Sequence, residues 1–361
     1  MSFFYQWWQR RFSDPQAVML AVMLAVGFGV VLLMGNILAP VLASVVIAYV
    51  LDSAAKLIER IGGHRILAVA VVFTLFVAFL FFTLFELIPQ VSEQLTQLAR
   101  LLPAMVLRGQ ELLLQLPGEY PQIFPEKQVD ELIRGLRSAL GELGQAVLSL
   151  SFTSVVGVIT LAVYLVLAPV MVFFFLKDKQ SILRWLSGYL PNDRDLANQV
   201  WQEMHAQLGN YIRGKFWEVL IVGFVTYVGF EIMGLQFALL LASLVGISVI
   251  VPYVGFVAVT IPVTLVAYFQ FGWTSEFGYL MAVFLIIQAL DGNVLVPILF
   301  SGVVNLHPVA IIIAILVFDG LWGFWGVFFA IPLATLVRAV LNAWPDAHPH
   351  QADKAVDLST P

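Results

Sequence analysis

Apolar positions in this chain run in long stretches that polar residues interrupt at only a few places. Stretches at 17–34, 37–51, 66–88, 152–176 and 216–233 approach the length that crosses a bilayer as a helix, about 20 residues. Their residues are continuously apolar instead of alternating, which predicts helices and argues against a membrane β-barrel. Three longer stretches follow at 235–270, 277–300 and 308–341, each interrupted by proline. The predicted fold is an all-α polytopic membrane protein with about eight transmembrane elements, the later ones bent or re-entrant. Gly35-Asn36 carries no charge and predicts a turn, so the first two stretches are expected to form a hairpin.

Polar segments divide the chain. Residues 1–16 are an aromatic and basic anchor (Trp7, Trp8, Arg10, Arg11) of the kind that sits at headgroup depth on the cytoplasmic side. Residues 17–88 hold the N-terminal transmembrane helices. Residues 89–150 form a polar insert of about sixty residues, long for a connection and expected to be extracytoplasmic. Within it Val91, Leu95, Leu98, Leu102 and Met105, then Val129, Leu132, Leu136, Leu140, Leu143 and Val147, recur at helical spacing. They predict two amphipathic helices packed on each other, on the bundle or on another subunit. Residues 151–176 are a helix that Pro169 should kink. Residues 177–215 form a basic cytoplasmic loop with its own amphipathic helix, 216–341 a C-terminal bundle of broken helices, and 342–361 a polar cytoplasmic tail. The basic residues of 52–65 and 177–215 place those loops inside, and an even number of crossings places both termini there too.

Candidate chemistry concentrates in the last third. Gln288, Asp291 and Asn293 lie within six positions, and Pro297 frees the carbonyl four residues back. A carboxylate, an amide and released carbonyls can bind a cation, a proton or a polar solute; alternatively Asp291 caps a half-helix, with Gly292 allowing a turn. Glu231 is a further substrate- or ion-binding candidate, whereas Glu218 is expected to be interfacial. Pro252 and Gly255, in V-P-Y-V-G, should split 235–270 into two half-helices. Pro262, Pro297, Pro308 and Pro332 are further helix-break or gating candidates. Asp319-Gly320 favours a helix break, Gly320, Gly323 and Gly326 close packing, and His307 a cap or interfacial role.

Composition narrows the classes. Hydrophobic residues are 61% and charged residues 11%, against about 25% charged in ordinary domains; mean hydropathy is +0.94. The net charge of -5 with scattered basic residues gives nucleic-acid binding no support. Absence of cysteine removes disulfides, thiolate metal sites and thiol catalysis. Asp291 and Asp319 do not match an intramembrane aspartyl protease: leucine precedes Asp291, and Leu316-Val317-Phe318-Asp319 lacks the expected glycines. With no zinc-protease or serine-nucleophile motif either, no enzyme, cofactor or metal is expected.

V-P-Y-V-G-x6-P, Q-A-L-D-G-N-V-L-V-P, N-L-H-P and W-G-F-W-G-V-F-F-A-I-P-L-A occur in order between positions 251 and 334. Together they resemble the autoinducer-2 exporter (AI-2E) family of bacterial membrane proteins, most closely its PerM-type permease branch. The resemblance extends over the chain and implies a multi-pass inner-membrane permease or exporter of a small polar solute, forming a homo-oligomer. Some members of that family are associated with autoinducer-2 export and others with sodium/proton antiport. Asp319-Gly320 departs from the family's usual glycine pair, and Gly302 stands where a charged residue is common. The expected partners are the bilayer, a small polar solute, and sodium or protons. A non-transporting envelope scaffold that binds partners through 89–150 is the alternative.

Overall fold

The computed structural model describes residues 15–119, 127, 131, 133–135, 138, 155–189, 195–252, 254–300 and 307–343. Among these, every regular element is helical. Helix α1 (Pro15–Arg60) opens the chain as one element of 46 residues, about 69 Å long. The expected hairpin at Gly35-Asn36 is not formed. Gly35 instead lets a neighbour approach: a Cβ there would collide with the Trp322 indole Nε1. Small size, not turn-forming freedom, is what this glycine supplies.

After a turn closed by Gly62 (φ 99°), α2 (Arg65–Phe82) runs into a π-helical turn, π1 (Thr83–Leu87), and on into α3 (Ile88–Glu119). The third apolar stretch therefore continues as helix into the segment expected to begin an insert. Its stripe Val91, Leu95 and Leu98 packs on the core that Leu240, Leu241, Val263 and Phe284 share. Every residue of the second amphipathic stripe lies outside the described residues. Helix α4 (Val155–Lys177) contains Pro169 without interruption, and α5 (Lys179–Ser187) and α6 (Asp195–Ile232) follow.

The C-terminal part comprises α7 (Ala238–Ser248), α8 (Val254–Phe271), α9 (Ser275–Leu290), π2 (Asp291–Leu295), α10 (Val296–Phe300), α11 (Pro308–Trp322) and α12 (Phe324–Ala343). V-P-Y-V-G does break its stretch in two, between helices that end at Ser248 and start at Val254. Pro262 and Pro332, by contrast, sit inside continuous helices. The break expected at Asp319-Gly320 falls three residues later, at Gly323 (φ 58°), where left-handed backbone favours glycine. Asp319 remains helical, and its carbonyl accepts the Gly323 N–H at 2.7 Å.

The chain divides into two compact units, one of residues 50–177 and 214–299, the other of 1–49, 178–213 and 300–361. Each contains a tight helical hairpin whose first arm is short. In the first unit α7 has 11 residues, about 16 Å; in the second α11 has 15, about 22 Å. Neither spans a hydrocarbon core of about 30 Å. A glycine keys each hairpin. A Cβ on Gly255 would collide with the Ser248 carbonyl oxygen, and one on Gly326 with that of Phe318.

Among the described residues, five helical segments are long and apolar enough to cross a membrane: Ile37–Arg60, Arg65–Glu111, Val254–Phe271, Ser275–Phe300 and Phe324–Leu341. The protein is thus a polytopic α-helical membrane protein. Side chains satisfy backbone groups that lipid cannot. Gln94 Oε1 accepts the Leu240 N–H at 2.9 Å, Gln270 Oε1 accepts the Gln236 N–H at 2.7 Å, and Gln270 Nε2 donates to the Gly234 carbonyl at 2.7 Å. At the other end of the same unit, Arg65 bridges Asp52 (2.9 Å), Glu59 (2.9 Å) and the Leu176 carbonyl (2.8 Å), tying the ends of α1 and α4 to the start of α2.

Gly255→Ala is expected to destabilise the protein by about 2 kcal/mol, the cost of overpacking. Gly320→Ala, whose Cβ meets nothing within 4 Å, should not destabilise it. Thermal unfolding of both variants in the same detergent checks the contrast.

Candidate transport site

Helix α6 places one buried stripe at steps of three and four residues: Lys215, Glu218, Val222, Thr226 and Phe230, all 5% exposed or less. Two charges and a hydroxyl in such a stripe require partners, because burial removes the water that would solvate them. Lys215 Nζ lies 2.8 Å from Glu218 Oε2 and donates to the Val249 carbonyl at 2.7 Å. Val249 caps the C-terminus of α7, where the helix dipole presents partial negative charge. The lysine thus faces a carboxylate and a helix end together. Glu218, expected to be interfacial, is 2% exposed and buried. The reason is this partner three residues earlier on its own helix, which places both side chains on one face.

Helix α9 presents the facing stripe. Phe284 packs on Phe230 with ring centroids 6.2 Å apart, and a Cβ on Gly229 would lie 3.3 Å from Val283 Cγ1. Asp291 is close enough to Lys215 and Glu218 for their charges to interact. With Phe284 beside Phe230 and Asp291 within charge range of Glu218, the two helices run antiparallel. Gln288 Nε2, Asp291 Oδ1 and Thr226 Oγ1 are each buried with no hydrogen-bond partner. Native structures leave few such atoms, and a bound water or ion is one explanation for them. A donor and an acceptor on α9 and a hydroxyl on α6 are thus buried among largely apolar side chains, and with Lys215 and Glu218 they mark a polar seam along these two helices. When Lys215, Glu218 and Asp291 are all ionised, the seam holds one negative charge in excess.

Asp291 does not follow the alternative reading, a half-helix cap with a turn at Gly292. It begins π2, and the Val296 N–H reaches the Asp291 carbonyl five residues back. The cause is Pro297, whose ring would press on the carbonyl four residues before it in an α-helix. Widening the turn relieves that contact. π1 shows the same spacing, ending at Leu87 with proline at position 89. π-turns inside α-helices mark functional sites frequently.

The other candidates fall elsewhere. Asn293 is exposed and donates to the Ala289 carbonyl of its own helix at 2.8 Å. Glu231 is exposed at the end of α6. Pro252 lies in the α7–α8 turn and Gly255 in the first turn of α8. Pro308 is the first residue of α11, and His307 caps that helix, its Nδ1 accepting the Val309 N–H at 3.2 Å. Lys215, Glu218 and Thr226 are the seam residues that the sequence reading did not propose. Their one signal was an opposite-charge pair three positions apart at the start of an apolar stretch. Among the described residues no group of His, Asp and Glu gathers as a metal site.

Long apolar helices and short-armed hairpins define a multi-pass α-helical membrane protein. Residues 19–346 match the family model described as AI-2E family transporter, and the chain belongs to this family. It is 48% identical over 341 residues to the Escherichia coli (strain K12) protein named "Putative permease PerM", an alignment covering 94% of this chain and 97% of that one. Two Bacillus subtilis (strain 168) proteins are more distant. "Putative transport protein YueF" is 26% identical, covering 83% of this chain and 82% of its own. "Putative transport protein YrrI" is 25% identical, covering 86% and 87%.

Lys215→Met should destabilise the protein by about 3 kcal/mol or more, because it strands the Glu218 carboxylate in the core. Adding Glu218→Gln should recover much of that loss. A thermal-unfolding cycle of the two single variants and the double variant measures the coupling.

Proposed function

We propose that this protein is an inner-membrane permease that exports a small polar solute along the seam between α6 and α9. The observation that carries the reading is the set of unpaired buried atoms on Thr226, Gln288 and Asp291. An amide donor, a carboxylate acceptor and a hydroxyl suit a hydroxylated or carbonyl-bearing solute, the chemical class of autoinducer-2, which family membership suggests. The hairpins, with Pro252 in the turn of one and Gly255 just after it, supply short helix ends of the type that transporters place at midplane sites. The sequence has no nucleotide-binding P-loop, so concentrative export draws on an ion gradient or a partner ATPase.

The excess negative charge of the seam favours coupling to one proton or sodium ion. An uncompensated buried carboxylate is costly, and either cation neutralises it. Sodium/proton exchange without a solute is the second reading, and that same charge is what favours it. The positive-inside rule places the Arg65 cluster, with Lys56 and Arg60 nearby, on the cytoplasmic side.

Purified protein in proteoliposomes, under imposed pH or sodium gradients, should move a solute from a panel of small polyols and hydroxyketones. Asp291→Asn should lower that flux about tenfold or more while the protein remains folded. Unchanged flux with unchanged pH and sodium dependence in Asp291→Asn would remove the carboxylate from the mechanism. Gradient-driven cation exchange with no solute flux would select the second reading.

A further inference from the structure

Helix α5 is nine residues long and begins two residues after α4 ends at Lys177. At the helical period, Ile182, Leu183, Trp185, Leu186 and the turn residue Tyr189 fall within an arc of about 160°, with Arg184 opposite its middle. Much of the arc is exposed, Leu183 by 37%, Trp185 by 63%, Leu186 by 50% and Tyr189 by 74%, while Lys179, at the start of the helix on the same side, lies over the Tyr49 ring, 5.6 Å from its centroid. Trp185 and Tyr189 stack edge to face, with centroids 5.2 Å apart. A contiguous exposed face of this kind marks an interaction surface.

Three features identify the occupant. The helix begins two residues past an apolar helix of 23 residues, so it starts at a membrane boundary. Its exposed rings are tryptophan and tyrosine, the residues that favour headgroup depth. The segment 177–189 carries Lys177, Lys179 and Arg184 against Asp178 alone, and this excess complements anionic lipid phosphates. A second copy docked on the same face by two-fold symmetry would bring these like charges together.

We propose that α5 lies in the headgroup layer with its apolar arc in the acyl boundary, and that Lys179 and Arg184 hold anionic glycerophospholipid. The helix thereby anchors the membrane end of the segment that leads into α6. This role does not depend on the transport reading.

The chain contains no cysteine, so single spin labels report without background. In nanodiscs of phosphatidylcholine and phosphatidylglycerol, a label on full-length Leu186→Cys should be reached by oxygen more than by a water-soluble nickel chelate. A label on Gln180→Cys should show the reverse. In zwitterionic micelles, phosphatidylglycerol retention read by native mass spectrometry should fall about fivefold for each charge removed in Lys179→Gln and Arg184→Gln. Nickel accessibility at Leu186→Cys equal to that at Gln180→Cys would overturn the proposal. So would spin–spin broadening between copies at Leu186→Cys, which would assign the face to a second subunit. Retention unchanged in both charge variants would also overturn it.

Discussion

The burial of Lys215 against Glu218 and the Val249 carbonyl is the constraint on which the rest of the site depends. A lysine at 5% exposure can remain charged only where negative groups surround it. The protein supplies a carboxylate from the same helix and the C-terminal end of α7, so α7 must stop where it does. That stop is made by V-P-Y-V-G and by Gly255, whose missing Cβ lets α8 fold back against Ser248. The length of the short arm, the break after it and the charge on α6 are therefore one solution to one electrostatic problem. Asp291 enters that arrangement as a third charge with no counter-ion of its own.

The two hairpins obey one steric rule. In each, a glycine of the returning helix presses on a carbonyl of the helix before it, Gly255 on Ser248 and Gly326 on Phe318. The two π-turns obey another. Each ends two residues before a proline, at 89 and at 297. Pro40, Pro169, Pro262 and Pro332 lie inside α-helices with no π-turn assigned beside them. Proline alone thus does not dictate the widened turn. At π2 the widening shifts the residues that follow Asp291 relative to an unbroken α-helix, while Asp291 keeps α-helical spacing from Phe284 and Gln288.

Much of this was legible in the sequence, and the exceptions share a cause. The helical membrane class followed from uninterrupted apolar runs, and the α7–α8 break from proline and glycine set together. Gln288 and Asp291 stood out because lone polar groups are costly at that depth. Gly35 misled because a glycine required for approach to Trp322 reads locally like one required for a turn. Asp319-Gly320 misled similarly, since the left-handed residue is Gly323. Glu218 and Lys215 escaped because charges near a basic loop read as solvated. Only the packing of α7 against α6 shows that they are buried. Local signals fix backbone preferences, whereas burial and close approach depend on which helix arrives opposite.

The most direct test of the seam is chemical access. In a chain without cysteine, Thr226→Cys and Gln288→Cys can be challenged in membranes with a small hydrophilic methanethiosulfonate, beside an exposed control at Asn293→Cys. A polar transport path predicts that both seam thiols react, that transported solute slows their reaction, and that the control is unaffected by solute. If both folded seam variants stay unreactive from either side of the membrane while the control reacts, the polar atoms are sealed in the core and the seam is not a path.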